Sequence, residues 1–510
     1  MKKIIQTFIS GFTAFAVVAV LQAIPTHAAN FSVAVGNDEN IDNTSCSLSE
    51  AIENINNQAA TNTDCPAGDG INDTISIPAG TITLTADLPT LTQSAMIKGA
   101  GMGSSIVDGG AAFVVFSSQS SSPVQLLVSD LVIKAFDSVA INLTNGELNV
   151  NRVEIDGSNM VSNNFAASGI IAGSITTNYD VEATISDSYI HDISANTGSV
   201  GNSGVAIFAT GGIKADADIK RVTVSDISNV TGNAYGIIFT AGVFGDLTPN
   251  KLMGSISNST ISRVTSANSL AGGIGASSAS NSSGASADLR IDNSTVVGIE
   301  GTEPLPGLRS GGLVAFGATD GISGMVSNTI TTRNILVLNN KYQVNNPSNC
   351  SENPDFSAAL GVDGAGVVSN SFISNGGNLS DDTSCSTFFN HPADQNNLTN
   401  LGLTLAPLTD NGGLVPTKAL LQGSPAIDAG VTIPTLTQDA RGSVRPQGSA
   451  YDSGAYESPY TTAVASSSTV NTATSLASTG KSHSLLMVLT AFTIFSSAGI
   501  FILLKQRRSI

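Results

Sequence analysis

Aliphatic and polar residues alternate over short stretches along most of the chain. The alternation is clear at 183–190, 221–225, 259–262, 293–297 and 328–330. A period of two indicates β-strands rather than helices. A second phrase, glycine followed by aliphatic residues, lies between these stretches. It returns after 35, 32, 37 and 38 residues when it is read at Gly169, Gly204, Gly236, Gly273 and Gly311.

This repeat predicts an all-β fold. Self-similarity at such a period is typical of solenoids, in which units that cannot bury a face alone stack on one another. Asn, Ser and Thr at equivalent positions can then bond each other between units. We therefore expect a right-handed parallel β-helix with two or three strands per coil. A β-propeller is the alternative, although propeller blades usually carry aromatic signatures and the chain has no Trp.

The first 29 residues are typical of a secretory signal peptide. Met1-Lys2-Lys3 is basic, an apolar run follows at about 8–24, and small residues end the segment. Cleavage after Ala28 or Ala29 is expected. A permanent N-terminal membrane helix is the alternative.

The C-terminal end predicts a membrane span. Residues 485–504 carry no charge and are long enough to cross a bilayer. The basic residues of 505–508 follow at once and favour the cytoplasmic side. The body would therefore lie outside the cell. Residues 458–475, rich in Ser, Thr, Ala and Val, predict a stalk between body and membrane.

A pentapeptide precedes the predicted span: Leu476-Ala477-Ser478-Thr479-Gly480. With the span and basic tail it resembles the Leu-Pro-x-Thr-Gly sorting signals of Gram-positive surface proteins, with Ala477 in place of Pro. The resemblance implies that a sortase cleaves between Thr479 and Gly480 and joins Thr479 to peptidoglycan. The alternative is a chance string in a single-pass membrane protein.

Composition narrows the function classes. The chain has 21 basic and 39 acidic residues, and six of the basic ones lie in the two terminal segments, which leaves 15 against 39 in the body. Such an acidic surface repels phosphate backbones, so nucleic acid is not an expected partner. Only 12% of residues are charged and 51 are Gly, which favours strands and turns over helices.

Four cysteines fit an oxidising exterior. Three connectivities are open, and the pairs local in sequence, Cys46–Cys65 and Cys350–Cys385, are favoured. The body contains only two histidines, His191 and His391, so a His/Cys zinc site is not expected. We predict no cofactor, with calcium at Asp216 and Asp218, or at Asp69 and Asp73, as weak candidates.

Two further sets of residues carry a family resemblance. The string 46–52, Cys-Ser-Leu-Ser-Glu-Ala-Ile, is similar to the Cys-Ser-Leu-Arg-Glu-Ala motif of secreted bacterial β-helix proteins, with Ser49 replacing Arg. Residues 405–413, 423–430, 439–446 and 452–457 resemble the far end of the same family. The resemblance implies a pectate-lyase-like fold with a cap and first coils at 30–100, β-helix repeats at 101–400 and a closing segment at 401–457.

The residues themselves agree with this resemblance at both ends. Ser47 and Glu50 have the spacing of a capping box, which predicts a helix over about 48–56. At the other end we expect a structural ion-pair network rather than a catalytic one. Its members are Asp428, Asp439, Arg441, Arg445, Asp452 and Glu457.

The strand phrases align Asp192, Asp226 and Arg263 on successive coils, with Asp187 and His191 nearby. These three are weak catalytic candidates, and turn residues at coil corners are the alternative interpretation. We therefore expect a non-catalytic adhesin or binding rod at the cell surface, whose ligand is a polysaccharide or a host protein. The alternative is a surface-tethered carbohydrate-active enzyme, either a polysaccharide lyase or a glycoside hydrolase.

Overall fold

A computed structural model describes residues 28–461, with gaps at 71, 161–166, 174–178, 196–200, 243–247, 281–283, 303–308, 320–324, 344 and 354–365. The pentapeptide 476–480, the predicted span, nearly all of the signal peptide and most of the stalk lie outside the described residues. In the described part the chain is all-β with one α-helix. That helix is too short and too polar to cross a membrane.

The N-terminal region holds β1 (Asn30–Ser32), β2 (Gly36–Asn37) and α1 (Leu48–Asn57). The predicted capping box is confirmed: Glu50 N donates to Ser47 Oγ at 3.2 Å, and Ser47 N donates to Glu50 Oε2 at 2.9 Å. Buried Asp38 accepts from Leu48 N at 2.8 Å and from the Ser49 hydroxyl. A short hydroxyl side chain at residue 49 therefore fits this helix start.

The remaining strands follow in chain order: β3 (Asp73–Ile77), β4 (Gly80–Thr83), β5 (Ala95–Gly99), β6 (Ser105–Asp108), β7 (Phe116–Ser118), β8 (Val124–Lys134), β9 (Val139–Leu143), β10 (Gly146–Asp156), β11 (Ser168–Ala172), β12 (Val181–Ser186), β13 (Tyr189–His191), β14 (Ser194–Ala195), β15 (Gly201–Ala209), β16 (Lys214–Lys220), β17 (Thr223–Asn229), β18 (Asn233–Ala241), β19 (Asn250–Ser257), β20 (Thr260–Ser266), β21 (Ala271–Ser280), β22 (Ala285–Asp292), β23 (Thr295–Gly301), β24 (Gly311–Thr319), β25 (Met325–Arg333), β26 (Leu336–Leu338), β27 (Lys341–Tyr342), β28 (Asn346–Pro347), β29 (Cys350–Glu352), β30 (Val367–Ser374), β31 (Leu379–Ser380), β32 (Leu405–Thr409) and β33 (Thr417–Leu420).

These strands form sheets of 23, eight and two strands. In the central part, three strands recur in each repeat and every strand pairs in parallel with its counterpart in the next repeat. Thus β16 pairs with β19 and β19 with β22, while β17, β20 and β23 form a second series and β18, β21 and β24 a third. Among the named strands, only β27–β28 and β32–β33 pair antiparallel.

The register of the paired strands stacks aliphatic side chains on one another in the core. One fully buried column belongs to the eight-stranded sheet and two belong to the 23-stranded sheet. The first column is Ile141, Ile170, Val205, Ile237, Ile274 and Leu313; the second is Val150, Ile185, Ile219, Ile256 and Ile291; the third is Ile155, Ile190, Val224, Ile261 and Val296. The alternation seen in the sequence is thus the inward and outward alternation of these strands.

The recurring glycines lie where the eight-stranded sheet approaches the third column. A Cβ at Gly169 would lie 2.6 Å from Ile190 Cγ2, and one at Gly236 would collide with Ile261 in the same way. Gly204 and Gly273 meet Val224 and Val296 equivalently. The last member is Gly312 rather than Gly311, because Gly272 pairs with Gly311 and Gly312 is therefore the counterpart of Gly273. The sequence interpretation was wrong by one residue there because both repeats carry Gly-Gly.

A column of residues in the left-handed region connects the two strand series of the large sheet. Seven successive counterparts have φ between 44° and 60°: Asp130, Arg152, Asp187, Arg221, Asn258, Asn293 and Asn334. Asp and Asn tolerate this conformation because their short polar side chains can bond locally. Each of the two arginines forms a bidentate ion pair with an Asp of the same column, Arg152 with Asp130 and Arg221 with Asp187.

The C-terminal segment does not end beside the last repeat. It folds back and contacts earlier repeats. Pro416 O accepts from Thr223 Oγ1 at 2.7 Å, and Gln438 O accepts from Asn258 Nδ2 at 2.9 Å. Ala455 N donates to Thr295 Oγ1 at 3.1 Å. The segment predicted to close the fold therefore covers part of the large sheet's outer face.

Both predicted disulfides form, Cys46–Cys65 and Cys350–Cys385. The first joins the start of α1 to the segment that follows it, and the second joins β29 to the segment after β31. Because each closes a loop in the unfolded chain, both stabilise the fold.

Candidate functional site

The sequence aligned Asp192, Asp226 and Arg263, and in the structure these three residues form a strip along the outer face of the large sheet. His191 pairs with Ser225 and Ser225 with Ser262. The residues that follow these three, Asp192, Asp226 and Arg263, therefore occupy equivalent positions. All three have left-handed backbones, with φ of 58°, 60° and 56°. These backbones fit the turn interpretation, since this is the second left-handed column of the fold.

Asp226 and Arg263 form a bidentate ion pair, with Nε and Nη2 each donating to a different carboxylate oxygen. Burial by itself would raise the pKa of Asp226, but the hydrogen bonds and charge of Arg263 outweigh it and leave that pKa below its usual value. The same bonds raise the pKa of Arg263. Asp226 is thus held ionised and Arg263 protonated, which makes neither a ready proton donor or acceptor at neutral pH.

His191 is surrounded by carboxylates. Its Nδ1 lies 2.6 Å from Asp192 Oδ2 and its Nε2 lies 3.3 Å from Glu154 Oε1. Tyr189 stacks on the ring at 4.1 Å between centroids. Burial lowers the pKa of His191, but the hydrogen bonds to Glu154 and Asp192 and the charge of Asp156 leave it above the usual value. Asp187 is not part of this cluster, because it pairs with Arg221.

A groove of about 570 Å³ runs along the strip. Asp192, Asp226, Arg263 and Glu300 provide its charges, and the hydroxyls of Ser158, Ser194, Ser228 and Thr265 line the rest. None of these described lining residues is aromatic, so the groove offers hydrogen bonds and charge rather than a stacking platform for sugar rings.

Lys418 is a residue of this region that the sequence did not indicate. It lies on β33, whose hairpin contacts β17 through the bond from Thr223 to Pro416. Burial lowers the pKa of Lys418, and the positive charge of Arg263 adds to this effect. Lys418 lies near the strip only because the C-terminal segment folds back. The sequence around Lys418 therefore could not have indicated its position.

The weak calcium candidates Asp216 and Asp218 lie on β16, away from the strip. Asp218 accepts from Ser255 Oγ at 2.6 Å and forms an ion pair with Lys220. Asp216 is exposed and follows Glu147 and Glu182 in register, and all three line a second groove of about 570 Å³. Calcium at Asp216 and Asp218 stays a prediction.

The charged groups of the C-terminal segment form a network of ion pairs and hydrogen bonds. Arg445 pairs with Glu457 at 2.7 Å with both side chains fully buried, and Arg441 pairs with Asp439 at 2.6 Å. Asp452 accepts from Asp428 N at 2.8 Å. These bonds hold the irregular segment together.

Comparison of the chain with protein-family models, with curated proteins and with solved structures found no match. The function is therefore inferred from the residues and their geometry.

Proposed function

We propose that the chain is a right-handed parallel β-helix displayed outside the cell as a non-catalytic adhesin or binding rod. The parallel register of three strand series, repeat after repeat, supports a coil of this kind. So do the glycines that let one sheet approach another. A rigid rod, a stalk and an export signal together suit display at a distance from the membrane.

One observation carries the choice of binding over catalysis: each carboxylate of the strip is bonded to a basic side chain. Glycoside hydrolysis needs one carboxyl that can give a proton and one free to act as base or nucleophile. Asp226 is held ionised by Arg263, and Asp192 is bonded to His191. Such a fixed pattern of charges and hydroxyls suits recognition of a polar surface.

The ligand should be polar and rich in hydrogen-bonding groups, which fits a polysaccharide or a hydrophilic patch of a host protein. Successive coils are about 4.8 Å apart, so a linear ligand could contact several hydroxyls in turn. The acidic body argues against nucleic acid. Attachment to the envelope would follow from sortase acting at Thr479, with peptidoglycan as acceptor.

A surface-tethered polysaccharide lyase is the alternative. Lys418 favours it, because a lysine of lowered pKa close to Arg263 could remove a proton from a uronate sugar. A lyase of this kind would need Lys418 within reach of a ligand in the groove.

The test uses the full-length protein and a panel of plant and microbial polysaccharides and host extracellular proteins. Binding and product release are measured for the wild type, for Asp226→Asn with Arg263→Gln, and for Lys418→Met. The matched control is Asp130→Asn with Arg152→Gln, an ion pair of the same kind in the other column. We expect saturable binding without product, weakened about ten-fold (~1.4 kcal/mol) only by the strip variant. Product release that disappears in Lys418→Met would overturn the proposal in favour of the lyase.

A further inference from the structure

We propose that Asp156, His191 and Asp192 form a binding site for a divalent transition-metal ion, with Zn²⁺ as the reference ion. One ligand atom from each residue lies within 4.8 Å of the others, close enough for a modest side-chain adjustment to place all three around one ion. Imidazole nitrogen and carboxylate oxygen are both ordinary zinc ligands. This inference does not depend on the proposed function.

The orientation of His191 supports the site. Its Nε2 faces Glu154 Oε1 at 3.3 Å, which leaves Nδ1 to face Asp192. A metal-bound histidine usually donates its other ring N–H to a carboxylate, which fixes the tautomer and the ring plane. Glu154 occupies that supporting position, and Asp192 lies at Nδ1, the nitrogen that would bind the metal.

The backbone fixes these side chains on a rigid surface. Asp156 and His191 are register partners on β10 and β13, and Glu154 pairs with Tyr189 on the same two strands. Gly157 N donates to His191 O at 2.9 Å, which continues the pairing past the strand ends. Tyr189 stacks on one face of the imidazole ring. Little conformational entropy would therefore be lost when an ion binds.

The proposed site combines a buried ligand with a ligand that solvent can reach. The His191 side chain is 11% exposed, whereas that of Asp192 is 48% exposed and lines the groove. Three protein ligands leave a fourth position of a tetrahedral zinc site, and here that position would open toward the groove. A water molecule or an oxygen atom of a ligand could occupy it.

A second group of metal-type side chains, Glu50, Asp64 and Cys65, does not qualify. Cys65 is committed to the disulfide with Cys46, so its sulfur is not a thiolate. The inclusion of an imidazole also separates the proposed site from the purely acidic column at Glu147, Glu182 and Asp216. Imidazole favours zinc, copper or nickel over calcium.

The test is calorimetric titration of the full-length protein with ZnCl₂ and, separately, with CaCl₂. The variants are His191→Gln, Asp156→Asn and Glu154→Gln, and the matched control is His391→Gln, which removes the other histidine of the body. We expect one Zn²⁺ per chain, no comparable heat with Ca²⁺, and near-complete loss of binding in His191→Gln and Asp156→Asn. Glu154→Gln should weaken binding by about ten-fold or more, since supporting carboxylates have effects of that size.

Zinc binding that is unchanged in His191→Gln, or equal binding of calcium at the same residues, would overturn the proposal. So would the lack of any saturable zinc binding. A second measurement covers variants that fold poorly: NMR of the wild type labelled with ¹⁵N at its four histidines. Zinc should shift the ring nitrogens of one histidine, identified as His191 because its signals persist in His27→Gln, His391→Gln and His483→Gln; a shift of a different histidine would also refute the site.

Discussion

The side-chain amide of Asn334 exchanges two hydrogen bonds with the backbone of Val431, which lies 97 residues further along the chain. Nδ2 donates to Val431 O and Val431 N donates to Oδ1, both at 2.7 Å. The amide thus imitates a short piece of strand and ties the C-terminal segment to the last residue of the left-handed column. Asn293, the preceding member of the same column, has the same backbone conformation, but neither of its buried side-chain amide atoms has a hydrogen-bond partner.

Asn334→Gly should lower the free energy of unfolding by about 2 kcal/mol, because it removes two hydrogen bonds and keeps a residue that accepts φ of 55°. Asn293→Gly is the matched control and should be neutral or stabilising, since it removes unsatisfied buried polar atoms. Denaturant unfolding of both variants measures the difference. Equal destabilisation would show that the tie to Val431 contributes nothing.

Gly236→Ala should destabilise the protein by about 1–3 kcal/mol, since the added methyl group would collide with Ile261. The double variant with Ile261→Ala should be less destabilised than the sum of the two single variants, because the second change makes room for the first. Thermal unfolding of all four proteins gives the coupling. Strict additivity would mean that the glycine column is not set by this contact.

The ion pair between Asp130 and Arg152 predicts that the protein loses stability in acid. Hydrogen bonds from Arg152 hold the pKa of Asp130 below its usual value, although burial opposes them. A depressed carboxyl pKa stabilises the fold above the unfolded value, about 3.9, and this stabilisation is lost as the pH falls through the lower folded value. Asp130→Asn should therefore cost about 1 kcal/mol at neutral pH, because the Arg152 side chain is 42% exposed, and should cost progressively less below about pH 3.9.

The control for this pair is Arg152→Gln, which removes the cause of the shift and keeps the carboxylate. Its pH profile of unfolding should coincide with that of Asp130→Asn near neutrality. If the cost of Asp130→Asn stayed constant from neutral pH to below the titration of the carboxyl, the ion pair would not be its source.

Sortase attachment predicts a wall-derived peptide that ends at Thr479. In cells expressing the full chain, mass spectrometry of digested wall fragments should recover it joined to a wall amine. Thr479→Ala should leave the protein in the membrane fraction, while Thr474→Ala, in the adjoining stalk, should not. Recovery of only intact wild-type chain from membranes would exclude the attachment.

Local patterns in the sequence predicted a large part of the fold. The alternation at 183–190 predicted strands because it has a period of two, and the glycines at 169 and 204 predicted repeating units because they recur at the length of one unit. That these glycines allow close packing of the sheets was seen only in the structure. Ser47 and Glu50 predicted α1 because a helix cap is formed by neighbours. The alignment of Asp226 with Arg263 could be predicted because it required only the right repeat length.

Contacts that join distant parts of the chain could not be predicted in this way. Lys418 reaches the strip because the C-terminal segment turns back, and nothing in its own neighbourhood indicates that turn. The meeting of Glu154 with His191 depends on the register of β10 and β13. A shift of that register by one residue would place Glu154 on the opposite face of the sheet.

The return of the C-terminal segment also determines how the fold would respond to mechanical load. Stacked repeats touch only their neighbours, so a stack pulled from one end can peel off one unit at a time. Here a pull transmitted from beyond Ser458 is opposed by the bonds of residues 438–455 to Asn258, Thr295 and Asn334, which lie in three different repeats. The load would therefore reach the repeats from their side, at three of them, and not through the terminal repeat alone.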